Sequence, residues 1–229
     1  MTVEFRTDRP SDSDKGWLPL LLIVFLGAMG IAAFYIFVAR LQLIELLLLV
    51  IAVVFAATGY KRGTVRGIMA IALLYFATGM AATLYPVPAP YVAGVRQMFS
   101  GQAFGGEMHI ASQNVDRGSL AISFVLLSIL VWVVLEAIGR LAFPDTSLPK
   151  LGILDKLGGV FVHLLIGVWI ASLLFNAIGY GGSRSAHKKA FLRPGFNQIL
   201  RIHYNAQAFW FPDKPPPIYV YDLDLPSER

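Results

Sequence analysis

The 229-residue sequence contains no cysteine, which excludes disulfide stapling, thiolate metal sites and cysteine nucleophiles. Charge is also scarce: Asp, Glu, Lys and Arg make up 14% of the chain, against about 25% for a soluble domain. The motifs GxSxG, HExxH, GxxxxGK[ST] and GxGxxG are missing, so the usual hydrolase elbows, zinc helices and phosphate cradles are not expected. The four histidines, His109, His163, His187 and His203, are far apart and show no metal-ligand spacing. A net charge of +5 is carried by 19 Lys and Arg scattered between apolar segments. They form no basic face, and nucleic acid is not an expected partner.

What the chain has in abundance is apolar sequence. Hydrophobic residues make up 56% of it, with a mean hydropathy of +0.64. Five windows supply the excess: Trp17 to Val38, Leu41 to Gly59, Ile68 to Tyr85, Leu120 to Ile138 and Val160 to Ile178. Each is near the roughly 18–20 residues that cross a bilayer. The expected fold is an all-α polytopic membrane bundle of five transmembrane helices with an amphipathic C-terminal helix.

Residues 1–16 mix charges, Ser and Pro and read as a solvated tail. The run at 17–38 is too long for a signal-peptide core and no small-x-small site follows it, so a retained helix is expected. Between the second and third runs, Lys61, Arg62 and Arg66 crowd a glycine-rich turn. Basic residues in short loops stay on the cytoplasmic side, which puts the N-terminus in the cytoplasm, the loop 86–118 outside and the tail 181–229 outside. Arg184, Lys188, Lys189 and Arg193 close behind the last run pull the other way.

The loop 86–118 is rich in Pro, Gly and Ser and longer than usual connections. In the tail, Phe196, Ile199, Leu200, Ile202, His203, Ala206, Phe209 and Trp210 share one half of a helical wheel. Such a helix either lies in the membrane interface or packs on a partner or on its own loop. The strip from Phe211 through Tyr219 to Tyr221 is expected to be polyproline-like, extended and unable to fold alone. These tail residues are the candidate partner surface.

Ionisable residues inside apolar runs are functional candidates by default. Glu45 opens the second run, where it is a proton or ion ligand or a carboxylate favoured by the helix dipole. Glu136 and Arg140 are spaced for an i, i+4 ion pair at the interface. His163 is read as a helix-to-helix hydrogen bond, with a haem or chlorophyll-type ligand as the alternative. An acid/base catalyst using Glu45 with Asp155 would need the two carboxylates to converge, and the expected topology sets them near opposite faces. Neither catalytic residue, metal nor small-molecule substrate is expected.

Glu45, the block Gly59-Tyr60-Lys61-Arg62-Gly63-Thr64-Val65-Arg66-Gly67, and the block from Leu151 through Asp155, Gly158 and Gly159 to Gly167 form a pattern. Over roughly residues 41–180 this pattern resembles the colicin V production protein (CvpA) family of bacterial inner-membrane proteins. Glu45 stands where that family usually has Asp. Arg62 with Gly63 resembles its Arg-Gly turn, Arg66 its second basic position, and Asp155 with Gly159 the start of its final helix, which Asp155 is well placed to cap. The resemblance implies a four-helix core at 41–180 plus an extra helix at 17–38, and a factor needed for export or production of a toxin with no assigned catalytic residue. Two roles follow: a transport- or assembly-related scaffold, or an accessory subunit of a larger membrane complex such as a photosynthetic or respiratory one. Its partners would be membrane lipids, whose phosphates the turn arginines can hold, and other membrane subunits or further copies of itself. Bound lipids are the only expected ligands.

Overall fold

The computed structural model describes residues 17–37, 41–99, 115–144, 152–180, 184–211 and 215–223. The tail 1–16, Arg40, residues 100–114 of the expected outside loop, Lys150 and residues 224–229 lie outside them. Among the described residues every regular element is helical: α1 (Leu18–Phe37), α2 (Leu43–Leu84), α3 (Ala89–Phe99), α4 (Arg117–Ala142), α5 (Ile153–Tyr180), α6 (Arg184–Lys189), α7 (Arg193–Gln207), a 3-10 turn (Ala208–Trp210) and α8 (Pro217–Asp222).

Four of these helices, α1, α2, α4 and α5, are long and apolar enough to cross a membrane. The sequence led us to expect five, and the difference lies in α2, whose 42 residues contain two of the apolar windows. A straight helix of that length would extend about 63 Å, roughly twice the thickness of a hydrocarbon core. It is not straight, because Gly63 sits at φ 82°, ψ 174°. The limbs on either side, 43–62 and 64–84, run back along the same helix, α5. Leu48 from the first limb packs with Ala171 and Phe175, and Ala81 from the second packs with Leu173 and Ala177. Phe55 and Ala70 meet Trp132 of α4 from the two limbs, the rings of Phe55 and Trp132 5.8 Å apart and the indole N–H donating to Ala70 O at 3.1 Å.

Helix contact is closest where α2 and α5 cross. A Cβ on Gly59 would lie 2.2 Å from the carbonyl oxygen of Gly159, and one on Gly167 would lie 2.8 Å from Ala52 Cα. Small residues let membrane helices approach to backbone contact in this way, which replaces the hydrophobic drive that lipid does not provide. α1 differs, since none of its residues is buried. It leans on α2 through Gly27 and Val53 and touches Phe191 through Phe34, with ring centres 5.9 Å apart.

The bundle has two ends. At the turn end lie Gly63, the last turn of α4 and the first of α5. At the cap end lie the start of α2, α3, the start of α4 and α6 to α8. Here the structure departs from the sequence reading twice. The loop 86–118 contains α3, pinned by Arg96, whose guanidinium meets Asp116 at 2.6 Å and donates to Ser119 Oγ and Tyr180 O at 3.0 Å. The extended strip contains α8, with Ile218 and Tyr219 completely buried. Pro216 and Pro217 suit its first turn because the missing N–H has no helical partner there.

Candidate functional site

Three polar clusters hold the bundle, each built on residues singled out above. The first is at the turn. A glycine with φ near +80° and extended ψ breaks the hydrogen-bond ladder, so the amide of Thr64 has no upstream carbonyl. Asp155 fills that role: its Oδ1 accepts from Thr64 N at 2.8 Å, while Thr64 Oγ1 donates to Asp155 O at 2.9 Å. Asp155 was expected to cap its own helix. It caps the second limb of α2 instead, because that N-terminus is the one opened by the reversal. Gly159 lies one turn further along α5, against Gly59 and Gly63.

The second cluster joins α2 to α4. Glu136 does pair with Arg140 at 3.1 Å across i, i+4, and the same oxygen, Oε1, also meets Arg66 at 3.1 Å and Arg62 at 3.8 Å. Arg66 is fully buried. Its guanidinium donates to the carbonyls of Glu136, Gly139 and Phe143 at 3.3 to 3.4 Å, at the helix C-terminus where a cation is favoured. Arg66 was expected among residues that hold lipid phosphates, and burial removes it from that role. Gly67 faces Val162 and His163. Among the described residues His163 makes no polar bridge to another helix: Nδ1 meets Gly159 O of its own helix at 3.0 Å, and Nε2 is buried without a hydrogen-bond partner there. Among the described residues, no three His, Asp or Glu side chains gather to hold a metal.

The third cluster seats the C-terminal segment on the bundle. Glu45 is fully buried and serves two helix starts at once, accepting from Gln42 N at 2.8 Å and from Leu192 N, at the head of α7, at 2.6 Å. Of the tail residues offered as a partner surface, Phe196 and Leu200 pack on α5 and its neighbours, Tyr219 is enclosed, and Trp210 lies over Gly79. Ile199 is half-buried, Phe209 and Ile202 remain exposed, and Tyr221 belongs to α8. The apolar face of α7 therefore covers its own bundle. Beneath it runs a polar chain the sequence did not announce. Burial pushes the Tyr219 phenol well above its ordinary range, and its hydroxyl meets His203 Nδ1 at 2.9 Å. His203 Nε2 in turn meets Thr78 Oγ1 at 3.2 Å, and Gln207 donates to Thr78 Oγ1 and to Tyr75 O. The wheel had put His203 on the apolar side of α7, which was the available signal.

Both cap histidines are held neutral. Burial lowers His203 from 6.5 to about 3, and burial together with Arg193 lowers His187, stacked on Phe175, from 6.5 to about 4. The released segment takes up a proton near 6.5 while docked His203 resists to about 3. Acidification below 6.5 therefore favours release, by about 1.4 kcal/mol per pH unit for His203. Protection factors over residues 193–207 and 217–222, taken relative to the slower intrinsic exchange at low pH, should fall between pH 7 and pH 5, and His203→Asn should flatten that dependence. Equal protection at the two pH values would refute the neutral latch.

Glu45 and Asp155 stand at opposite ends of the first limb, since Asp155 binds at Thr64. Nineteen residues of helix rise separate them by about 28 Å, so they do not converge.

The family described as colicin V production protein matches residues 44–200. The match runs from the first turn of α2 into α7 and leaves α1 and α8 outside it. No curated protein and no solved structure matches the chain.

Proposed function

Because the chain belongs to the colicin V production protein family, we propose that it is a non-catalytic scaffold of the bacterial cytoplasmic membrane, supporting export or assembly by holding other membrane chains. One observation carries this reading: the buried ionisable groups join helix to helix. Asp155 ties α5 to the turn, Arg66 and Glu136 tie α2 to α4, and Glu45 ties α2 to α7. Backbone contact between Gly59 and Gly159 fills the space that a transport path between α2 and α5 would use.

In this reading each limb of α2 crosses the membrane, so α1, the two limbs, α4 and α5 make five passages, and α7 lies along the opposite interface. The turn end faces the cytoplasm. Support comes from the gathering of Arg62, Arg66 and Arg140 around Glu136 and of Lys156 over the Tyr60 ring, 5.2 Å away, beside Lys61. The cysteine-free sequence makes the orientation directly testable. A single cysteine at Gln198 should react with a membrane-impermeant maleimide in intact cells, and one at Lys61 should react only after permeabilisation. The reverse pattern would overturn the orientation.

The exposed α1 favours a second reading, an accessory subunit of a larger membrane complex, because a helix with no buried residue has every other face available to a neighbour. Gentle purification followed by mass spectrometry of intact assemblies separates the two. Self-assembly or capture of export components supports the scaffold, and stoichiometric subunits of an energy-transducing complex support the accessory role. A monomer that moves a solute across vesicles would overturn both.

A further inference from the structure

A groove of about 380 Å³ runs between the first limb of α2 and α4, lined by Val54, Phe55, Thr58, Arg62, Trp132 and Val133, with Glu136, Ala137 and Arg140 at one end. Val54 and Val133 are about half exposed on the outer wall of the bundle, so the groove opens sideways, toward lipid. Its walls are apolar except at the turn end. Arg62 and Val54 are eight residues apart and Arg140 and Val133 seven, which gives the apolar part a depth of about 10–12 Å. At the charged end, three guanidinium groups share one oxygen of a single carboxylate. Arg66 is enclosed, but the Arg140 side chain is 45% exposed. Its Nε donates to Glu136, and the half-exposed side chain lines the groove.

We propose that this groove binds one phospholipid with an anionic headgroup, the phosphate at Arg140 and Arg62 and one acyl chain along Phe55, Trp132 and Val133. Charge and shape both select this occupant. The half-exposed Arg140 guanidinium, with Arg62 beside it, attracts a phosphate, and a zwitterionic headgroup brings its own ammonium into the same field. The apolar slot, open to the bilayer, fits a hydrocarbon chain. A free phosphate ion would leave that slot unfilled.

The test uses the full-length protein in mixed detergent micelles with phosphatidylglycerol and phosphatidylcholine of identical chains, and retained lipid is read by native mass spectrometry. Phosphatidylglycerol should be retained preferentially. Arg140→Gln should weaken that retention about five-fold, the effect of one basic residue facing an anionic lipid surface. Val133→Trp, made at an exposed position, should fill the slot and weaken retention without altering a charge. Helicity by circular dichroism confirms that both variants are folded. Equal retention of the two lipids would overturn the proposal, as would unchanged retention in both variants. Displacement of phosphatidylglycerol by millimolar inorganic phosphate would also overturn it, because the chain would then contribute nothing.

Discussion

Gly63→Ala is expected to destabilise the bundle by about 3 kcal/mol or more, summing strain at a backbone conformation open essentially only to glycine with a lost cap. The backbone term comes from φ 82° with ψ 174°, worth about 1–3 kcal/mol for a residue with a Cβ. The second term is local. The new methyl carbon would stand 2.2 Å from Asp155 Oδ2, so the carboxylate that accepts from Thr64 N must swing away, leaving the first amide of the second limb without its cap. Alanine at Gly94 meets nothing within 4 Å and has ordinary helical geometry. There the same change should stabilise by about 0.5–1 kcal/mol. Unfolding by increasing denaturing-detergent fraction, followed by circular dichroism, compares the two. Combining Gly63→Ala with Asp155→Ala removes the collision but not the strain or the missing cap, so it should not restore stability. A Gly63→Ala protein as stable as wild type would mean that the chain does not fold back there.

That turn was legible in the sequence because its signals are local: two glycines beside three basic residues, between two apolar windows. The helical class and the positions of the other spans were legible for the same reason, although α4 and α5 extend beyond their apolar windows, to 26 and 28 residues. What was not legible depended on partners far along the chain. Asp155 reads as a cap for the helix it begins, and only the folded hairpin brings Thr64, 91 positions away, to its oxygen. Glu45 reads as a carboxylate at a helix start, which it is, but Leu192 lies 147 residues downstream. The segment from Phe211 to Tyr221 has the composition of an extended strip, and tertiary burial overrides that composition by seating Tyr219 against Phe124, with ring centres 5.7 Å apart. Arg66 misled for a simpler reason. A basic residue in a short turn reads as solvated or lipid-facing, yet here it points inward to the end of α4, where three carbonyls and a carboxylate compensate its charge.

The contrast between Glu136 and Arg140 follows from that burial and has the second large expected effect. Glu136→Ala removes the carboxylate facing Arg66, whose side chain has no exposed surface. Leaving a buried charge without its counter-ion costs about 3–5 kcal/mol. Arg140→Ala breaks an ion pair of the same 3.1 Å length, but its arginine is nearly half in solvent or headgroups. Exposed pairs of this kind contribute about 0–1 kcal/mol. Bond length alone would rank the two changes equal; burial ranks them several-fold apart. A double-mutant cycle distinguishes the accounts. Coupling of Glu136 to Arg66 should exceed its coupling to Arg140, and Glu136→Leu with Arg66→Leu should be more stable than Glu136→Leu alone, because the double change removes the stranded cation together with its partner. Equal losses for the two alanine variants would show that water reaches Arg66 and that the α2–α4 seam is open at the turn end. Such an opening would undo the scaffold reading, since a hydrated arginine beside a carboxylate inside the bundle is what a transport path requires.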